Sequence, residues 1–193
     1  TDANGNLVPN ASVNFIVATG ATITTVIGTT GSDGKATATV TSTSAGKYKV
    51  TATVSGRSVS KDAIFVADNG TAAIVAGNLK VTADNALANG TATNAVQAKV
   101  TDANGNVVPN VAVSFSANNG ATVTTASAIT NESGLATTTL SNTTSGVTNV
   151  VAAINGTSQN VNTNFTPDGS TATIVKGDLE VTQNDATANG SDT

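Results

Sequence analysis

No cysteine, histidine, methionine or tryptophan occurs among the 193 residues. Without cysteine no disulfide or thiolate site can form, so core packing must hold the fold and redox chemistry is excluded. Losing histidine as well removes the usual zinc ligands and the commonest general base. Charge is scarce too: charged residues are 10 % of the chain, against roughly 25 % in an average soluble protein. The net charge of −4 is mild. It supplies no basic stripe, so neither nucleic acid nor an anionic membrane is an expected partner. No apolar run approaches the roughly 18 residues of a spanning helix, and no signal-peptide pattern is present.

Thr, Ala, Asn, Val, Ser and Gly dominate what is there. Thr and Val carry a branched Cβ that crowds a helix and suits a pleated sheet, so composition predicts an all-β protein. The chain also repeats. Thr1-Asp2-Ala3-Asn4-Gly5-Asn6 returns as Thr101-Asp102-Ala103-Asn104-Gly105-Asn106, and sliding by 100 positions pairs residues 1–93 with 101–193 without a gap. Of those 93 pairs, 42 are identical. Solenoid repeats run to about 20–50 residues, whereas this period is the size of a small domain.

The expected organisation is one complete unit, 69–168, flanked by part of a preceding unit, 1–68, and the start of a third, 169–193. Within 69–168, Ile74-Val75 and Leu79-Val81 suggest a first strand broken at Gly77. Val96, Ala98 and Val100 alternate in a second. Val111, Val113 and Phe115 follow, then Ala121 and Val123, then Ala136, Thr138 and Leu140, then Val150, Ala152 and Ile154. Asn155-Gly156 signals a type I′ hairpin turn into a last strand ending at Phe165. About seven short strands with turn signals every 8–12 residues or so are the pattern of an immunoglobulin-like sandwich. Tyr48-Lys49-Val50 has the spacing of a tyrosine corner, although the second copy has Thr148 there; an ordinary half-buried strand residue fits equally.

Residues 1–68 lack the counterparts of the first two strands, which predicts that Phe15, Val40 and Val50 are partly uncovered. Residues 170–193 restart the pattern through Ile174-Val175, Leu179 and Val181. The chain reads as a cut from a longer protein, with any targeting or anchoring segment outside it.

The run Leu79-Lys80-Val81-Thr82-Ala83-Asp84-Asn85 to Thr93 leads into Val100-Thr101-Asp102-Ala103-Asn104-Gly105-Asn106, then Val107 to Phe115 and Asn131-Glu132-Ser133-Gly134. This combination closely resembles the bacterial Ig-like domains, group 1, of intimin, invasin and related inverse autotransporters. The resemblance implies tandem Ig-like repeats in a stiff extracellular stalk on a Gram-negative cell. It also implies an outer-membrane β-barrel anchor and a distal domain that meets the host receptor. Nothing here matches the disulfide-bearing tip of such proteins.

No nucleophile–base spacing suggests an enzyme. Asp102 to Asn106 has the start of an EF-hand loop but no bidentate Glu at the twelfth position; an Asx turn closing a hairpin is the alternative. Asp68 and Asp168, kept by both copies at the junctions, are the metal candidates, for calcium, against a plain polar linker. No other cofactor is expected. Asn-x-Ser/Thr sequons such as Asn89-Gly90-Thr91 and Asn155-Gly156-Thr157 are expected by chance in so Asn- and Thr-rich a chain. The functional expectation is therefore a spacer whose partners are neighbouring repeats. The alternative is a directly adhesive or self-associating module, through host-cell contact or homotypic autoaggregation as in biofilm. Four Phe, one Tyr and Arg57 alone offer few of the usual anchors for that.

Overall fold

The computed structural model describes residues 1–182 and 184–191. The first unit carries β1 (Asn14–Val17), β2 (Thr22–Ile27), β3 (Thr37–Thr41), β4 (Gly46–Val54) and β5 (Arg57–Phe65). A single 3₁₀ turn, Asn69–Thr71, opens the second unit. That unit holds β6 (Leu79–Ala83), β7 (Ala86–Leu87), β8 (Thr93–Lys99), β9 (Ala112–Ala117) and β10 (Thr122–Val123). It continues with β11 (Ser127–Ile129), β12 (Leu135–Ser141), β13 (Gly146–Ile154) and β14 (Thr157–Thr166).

The second unit is a sandwich of two sheets, ordered β10-β12-β8-β6 and β11-β9-β13-β14-β7. Alternation explains the layers: along β13, Thr148, Val150, Ala152 and Ile154 point inward and are buried, with less buried residues between them. Val96, Val100, Leu140, Val150 and Phe165 form the best-sealed part of the core. Asn155 (φ 49) and Gly156 (φ 75) both take positive φ, as a type I′ turn requires, and set Ile154 opposite Thr157.

The first strand departs from expectation. Ala73 makes only an isolated bridge to Thr101, Ile74 plugs the core, and the chain turns at Gly77 (φ 82) before β6 begins. A second break lies later, at Asp84-Asn85, where Asn85 takes φ 61. There the chain leaves β6 in one sheet and enters β7 in the other, parallel to β14. Side chains replace the ladder bonds lost in crossing. Asp84 accepts from the Asn164 N–H at 2.8 Å and the Thr163 hydroxyl at 2.7 Å. Asn94, wholly buried, accepts from the Ala86 N–H at 2.9 Å and donates to the Asn164 carbonyl at 2.8 Å. The segment after β9 also divides, β10 joining β12 and β11 joining β9. These two splits turn about seven expected strands into nine segments.

In the first unit the sheets are β1-β4-β5 and β2-β3. Phe15, Val40 and Val50 are half-buried, whereas their counterparts Phe115, Leu140 and Val150 are buried. The difference follows from β6 and β8, which cover the core of the second unit and have no counterpart in the first. Residues 172–182 and 184–191 form no strand despite their apolar pattern, and Ile174, Leu179 and Val181 are exposed. β6 exists by pairing with β8; the third segment has no such partner. Gln183, Asp192 and Thr193, also within the expected third unit, lie outside the described residues.

Candidate functional site: the junction between repeats

The turn Asp102 to Asn106 closes a bridge between Thr101 and Val107. Asp102 is a residue that readily bonds its own backbone, and Gly105 supplies the positive φ of 84° that the turn needs. One carboxylate oxygen of Asp102 accepts the N–H groups of Asn104 and Asn106, both at 2.9 Å. The other accepts the Asn106 side-chain amide at 2.8 Å and the Asp68 N–H at 3.0 Å. This is an Asx turn, with both carboxylate oxygens facing donors. The Asn106 amide and the Asp68 N–H, in that order, hold the Asp102 carboxyl down to about 2, against a partial opposing effect of burial. Asp2 in the first unit repeats the turn, and its bond from Asn6 lowers its pKa too.

The Asp68 N–H therefore ties the linker to the downstream unit. Two further contacts hold it there: the Ala103 N–H donates to the Thr71 hydroxyl at 3.2 Å, and the Asn155 amide donates to the carbonyls of Asn69 (3.0 Å) and Ala72 (3.1 Å). Asn106 also reaches across the junction. Its amide donates to the Thr43 carbonyl at 2.9 Å and its side-chain oxygen accepts the Ala45 N–H at 2.9 Å. Beside this contact lies an open groove with Val66 82 % exposed. Hydrogen bonds, more than apolar packing, join the two units.

The receiving loop is itself braced. Tyr48 donates its hydroxyl to the Ser44 carbonyl at 3.0 Å and meets Phe65 edge-on at 5.9 Å. That upstream bond is the tyrosine corner. A Cβ on Gly20 would lie 2.7 Å from the ring, so glycine is required there. Ser42 completes the brace, its hydroxyl meeting the Gly20 carbonyl at 2.8 Å and the Ser44 N–H at 3.0 Å.

Asp68 and Asp168, the candidates from sequence, cap matching 3₁₀ turns. Asp68 accepts from the Gly70 N–H at 2.9 Å, and Asp168 from the Ser170 N–H at 3.1 Å and its hydroxyl at 2.6 Å. The structure does not bring the two together, and no cluster of three or more acidic residues forms among the described residues. Sequence reasoning missed Asn106. The available signal was that Thr-Asp-Ala-Asn-Gly-Asn is identical in both copies.

The sequence profile of the bacterial Ig-like domain (group 1) matches residues 1–66 and 76–166. The chain belongs to that family. No curated protein matches the sequence. Among solved structures, the chain is similar to InvD of Yersinia pseudotuberculosis, with 23 % identity and a TM-score of 0.70. That match covers 90 % of this chain and 53 % of the other, so the chain spans about half of the InvD structure. The Escherichia coli adhesin FdeC matches at 20 % identity and a TM-score of 0.50, over 86 % of this chain and 56 % of its own. The D0-D1 domain of intimin matches at 26 % identity over 86 % of each chain, with a TM-score of 0.45. The likeness to InvD supports the all-β immunoglobulin-like fold.

Proposed function

We propose that these bacterial Ig-like repeats are a stretch of stalk from a bacterial cell-surface adhesin. They hold a distal binding domain away from the outer membrane in which another region is anchored. One observation carries the reading: the linker is pinned to the downstream unit, while Asn106 clasps the upstream one. A joint built that way transmits position. The ten residues of β14 span about 33 Å at ~3.3 Å per residue, so each unit adds reach on the order of 35–45 Å with its loops. The aromatic side chains support a spacer over a receptor-binding face, since Tyr48 and Phe65 pack on each other and Phe115 and Phe165 are buried.

Deletion of one 100-residue unit from the whole adhesin tests this. Adhesion should weaken with lost reach and recover when an unrelated repeat of equal length is inserted. Isolated units should bind neither host cells nor one another. Saturable binding by an isolated unit, or failure of the length-matched replacement, would favour a directly adhesive or self-associating module.

A further inference from the structure

The Asn106 contact has two halves, and the chain carries a spare copy of each. Asn6 makes the same bonds to its own turn as Asn106: its N–H to Asp2 at 2.9 Å and its amide to the other Asp2 oxygen at 2.9 Å. The Asn6 side-chain oxygen accepts no bond among the described residues, whereas that of Asn106 accepts the Ala45 N–H. At the other end, Thr143-Thr144-Ser145 occupies the place of Thr43-Ser44-Ala45. Its brace is built from different residues. Asn142, buried, donates to the Asn119 carbonyl at 2.9 Å and accepts the Thr144 N–H at 2.9 Å, doing what Ser42 does in the first copy. A socket loop held in shape by two different chemistries points to a requirement on that shape.

We infer that each repeat is a head-to-tail connector. The Asp-x-x-x-Asn turn is a plug, and the loop before the strand equivalent to β13 is its socket. Asn6 fits the socket of a preceding repeat of this kind, and Thr143 to Ser145 receives the plug of a following one. The inference rests on the spacer reading and names the device that sets the angle at each joint. A side-chain amide suits the task because it offers a donor and an acceptor at once, to one carbonyl and one N–H of the loop. Asp102 fixes the amide's orientation beforehand, so little freedom is lost on docking.

The test uses the chain with Ser58→Cys and Ser158→Cys, two exposed equivalent positions. With no native cysteine, nitroxide labels attach only there, and electron–electron resonance reads the distance distribution between units. Asn106→Ala removes both bonds across the joint. Ala45→Pro removes the socket's N–H alone and leaves the Asn106–Asp102 turn intact. Losing two neutral hydrogen bonds should raise the open population by about an order of magnitude. Tyr48 fluorescence checks that the upstream loop keeps its fold. A narrow parent distribution that broadens in both variants supports the connector. A narrow distribution unchanged in both overturns it and leaves the spacer reading standing. A distribution already broad in the parent overturns the connector and the stiff spacer together. In an array with a following repeat, Ser145→Pro should loosen the next joint in the same way; an unaltered joint would refute the recurrence.

Discussion

Thr148 lies in β13 at the place Tyr48 holds in the first copy, fully buried, and its hydroxyl has no hydrogen-bond partner among the described residues. Across the ladder it faces Thr163, whose own hydroxyl is given to Asp84. A hydroxyl buried without a partner costs about 1–3 kcal/mol in proteins, and valine replaces it with a methyl of nearly the same shape. Thr148→Val should therefore stabilise the second unit by about 1–2 kcal/mol. For a domain of this size, about 1 kcal/mol moves the melting midpoint by about 4–8 °C. Urea unfolding followed by circular dichroism measures it, with an unchanged slope and a raised midpoint expected. Thr130→Val is the control, because it makes the same atomic change at a hydroxyl that is fully used. Thr130 donates to the Val108 carbonyl at 2.8 Å and accepts the Val111 N–H at 3.0 Å. It should lose about 1–3 kcal/mol. Opposite signs from one chemical change are the signature. If Thr148→Val is neutral or destabilising, the reasoning about the buried hydroxyl is wrong.

The Asp102 carboxyl, held at about 2 against an ordinary 3.8, contributes stability that is full above about pH 4 and is lost as pH falls through 2. Asp102→Asn should flatten the acid limb of a stability-versus-pH curve between those values; an unchanged limb would place the acid sensitivity elsewhere. Asn94→Leu strands the Ala86 N–H, leaves the Asn164 carbonyl with the Asn85 N–H alone, and should cost about 1–3 kcal/mol in urea unfolding; full tolerance would refute the sheet-crossing role. Small-angle scattering of the array should be the same in EDTA and in millimolar calcium, since both Asp68 oxygens already accept bonds from Gly70 and Thr71. A particle that straightens with calcium would instead make Asp68 and Asp168 its ligands.

What could be read in advance was local. Alternation along Val150, Ala152 and Ile154 marks β13, and Asn155-Gly156 marks its hairpin, because both signals depend on neighbours within a few residues. The crossing at Asp84-Asn85 was hidden. Its polar pair looks like any turn, and whether the chain folds back or changes sheet is decided by Asn94, Thr163 and Asn164, up to 80 positions away. The site divides the same way. Asp102 was legible as an Asx turn, whose partners lie two and four residues on. Asn106 was not, because its local bonds already give it a sufficient reason to be there. Its second pair of partners lies 61 and 63 residues upstream, in another unit.

Tension along a stalk would find a specific resistance in this fold. β6 pairs antiparallel with β8 and, pulled from Leu79, can peel one bond at a time. β7 is different, because it runs parallel to β14, with Ala86 opposite Phe165 and Leu87 opposite Thr166. Load enters β7 from its start and leaves β14 from its end, so the two slide past each other and their bonds must fail together. The Asn85 N–H to the Asn164 carbonyl at 3.1 Å, the Ala88 N–H to the Thr166 carbonyl at 2.8 Å and the Asp84 bonds make up this patch. Ala88→Pro deletes one of them at the rim of the core. It should lower the unfolding force in single-molecule pulling out of proportion to its effect on equilibrium stability, because forced unfolding follows the barrier. Thr148→Val, which deletes none of these bonds, should raise equilibrium stability with little gain in force. If force instead tracks equilibrium stability across the two variants, the parallel pair carries no special load.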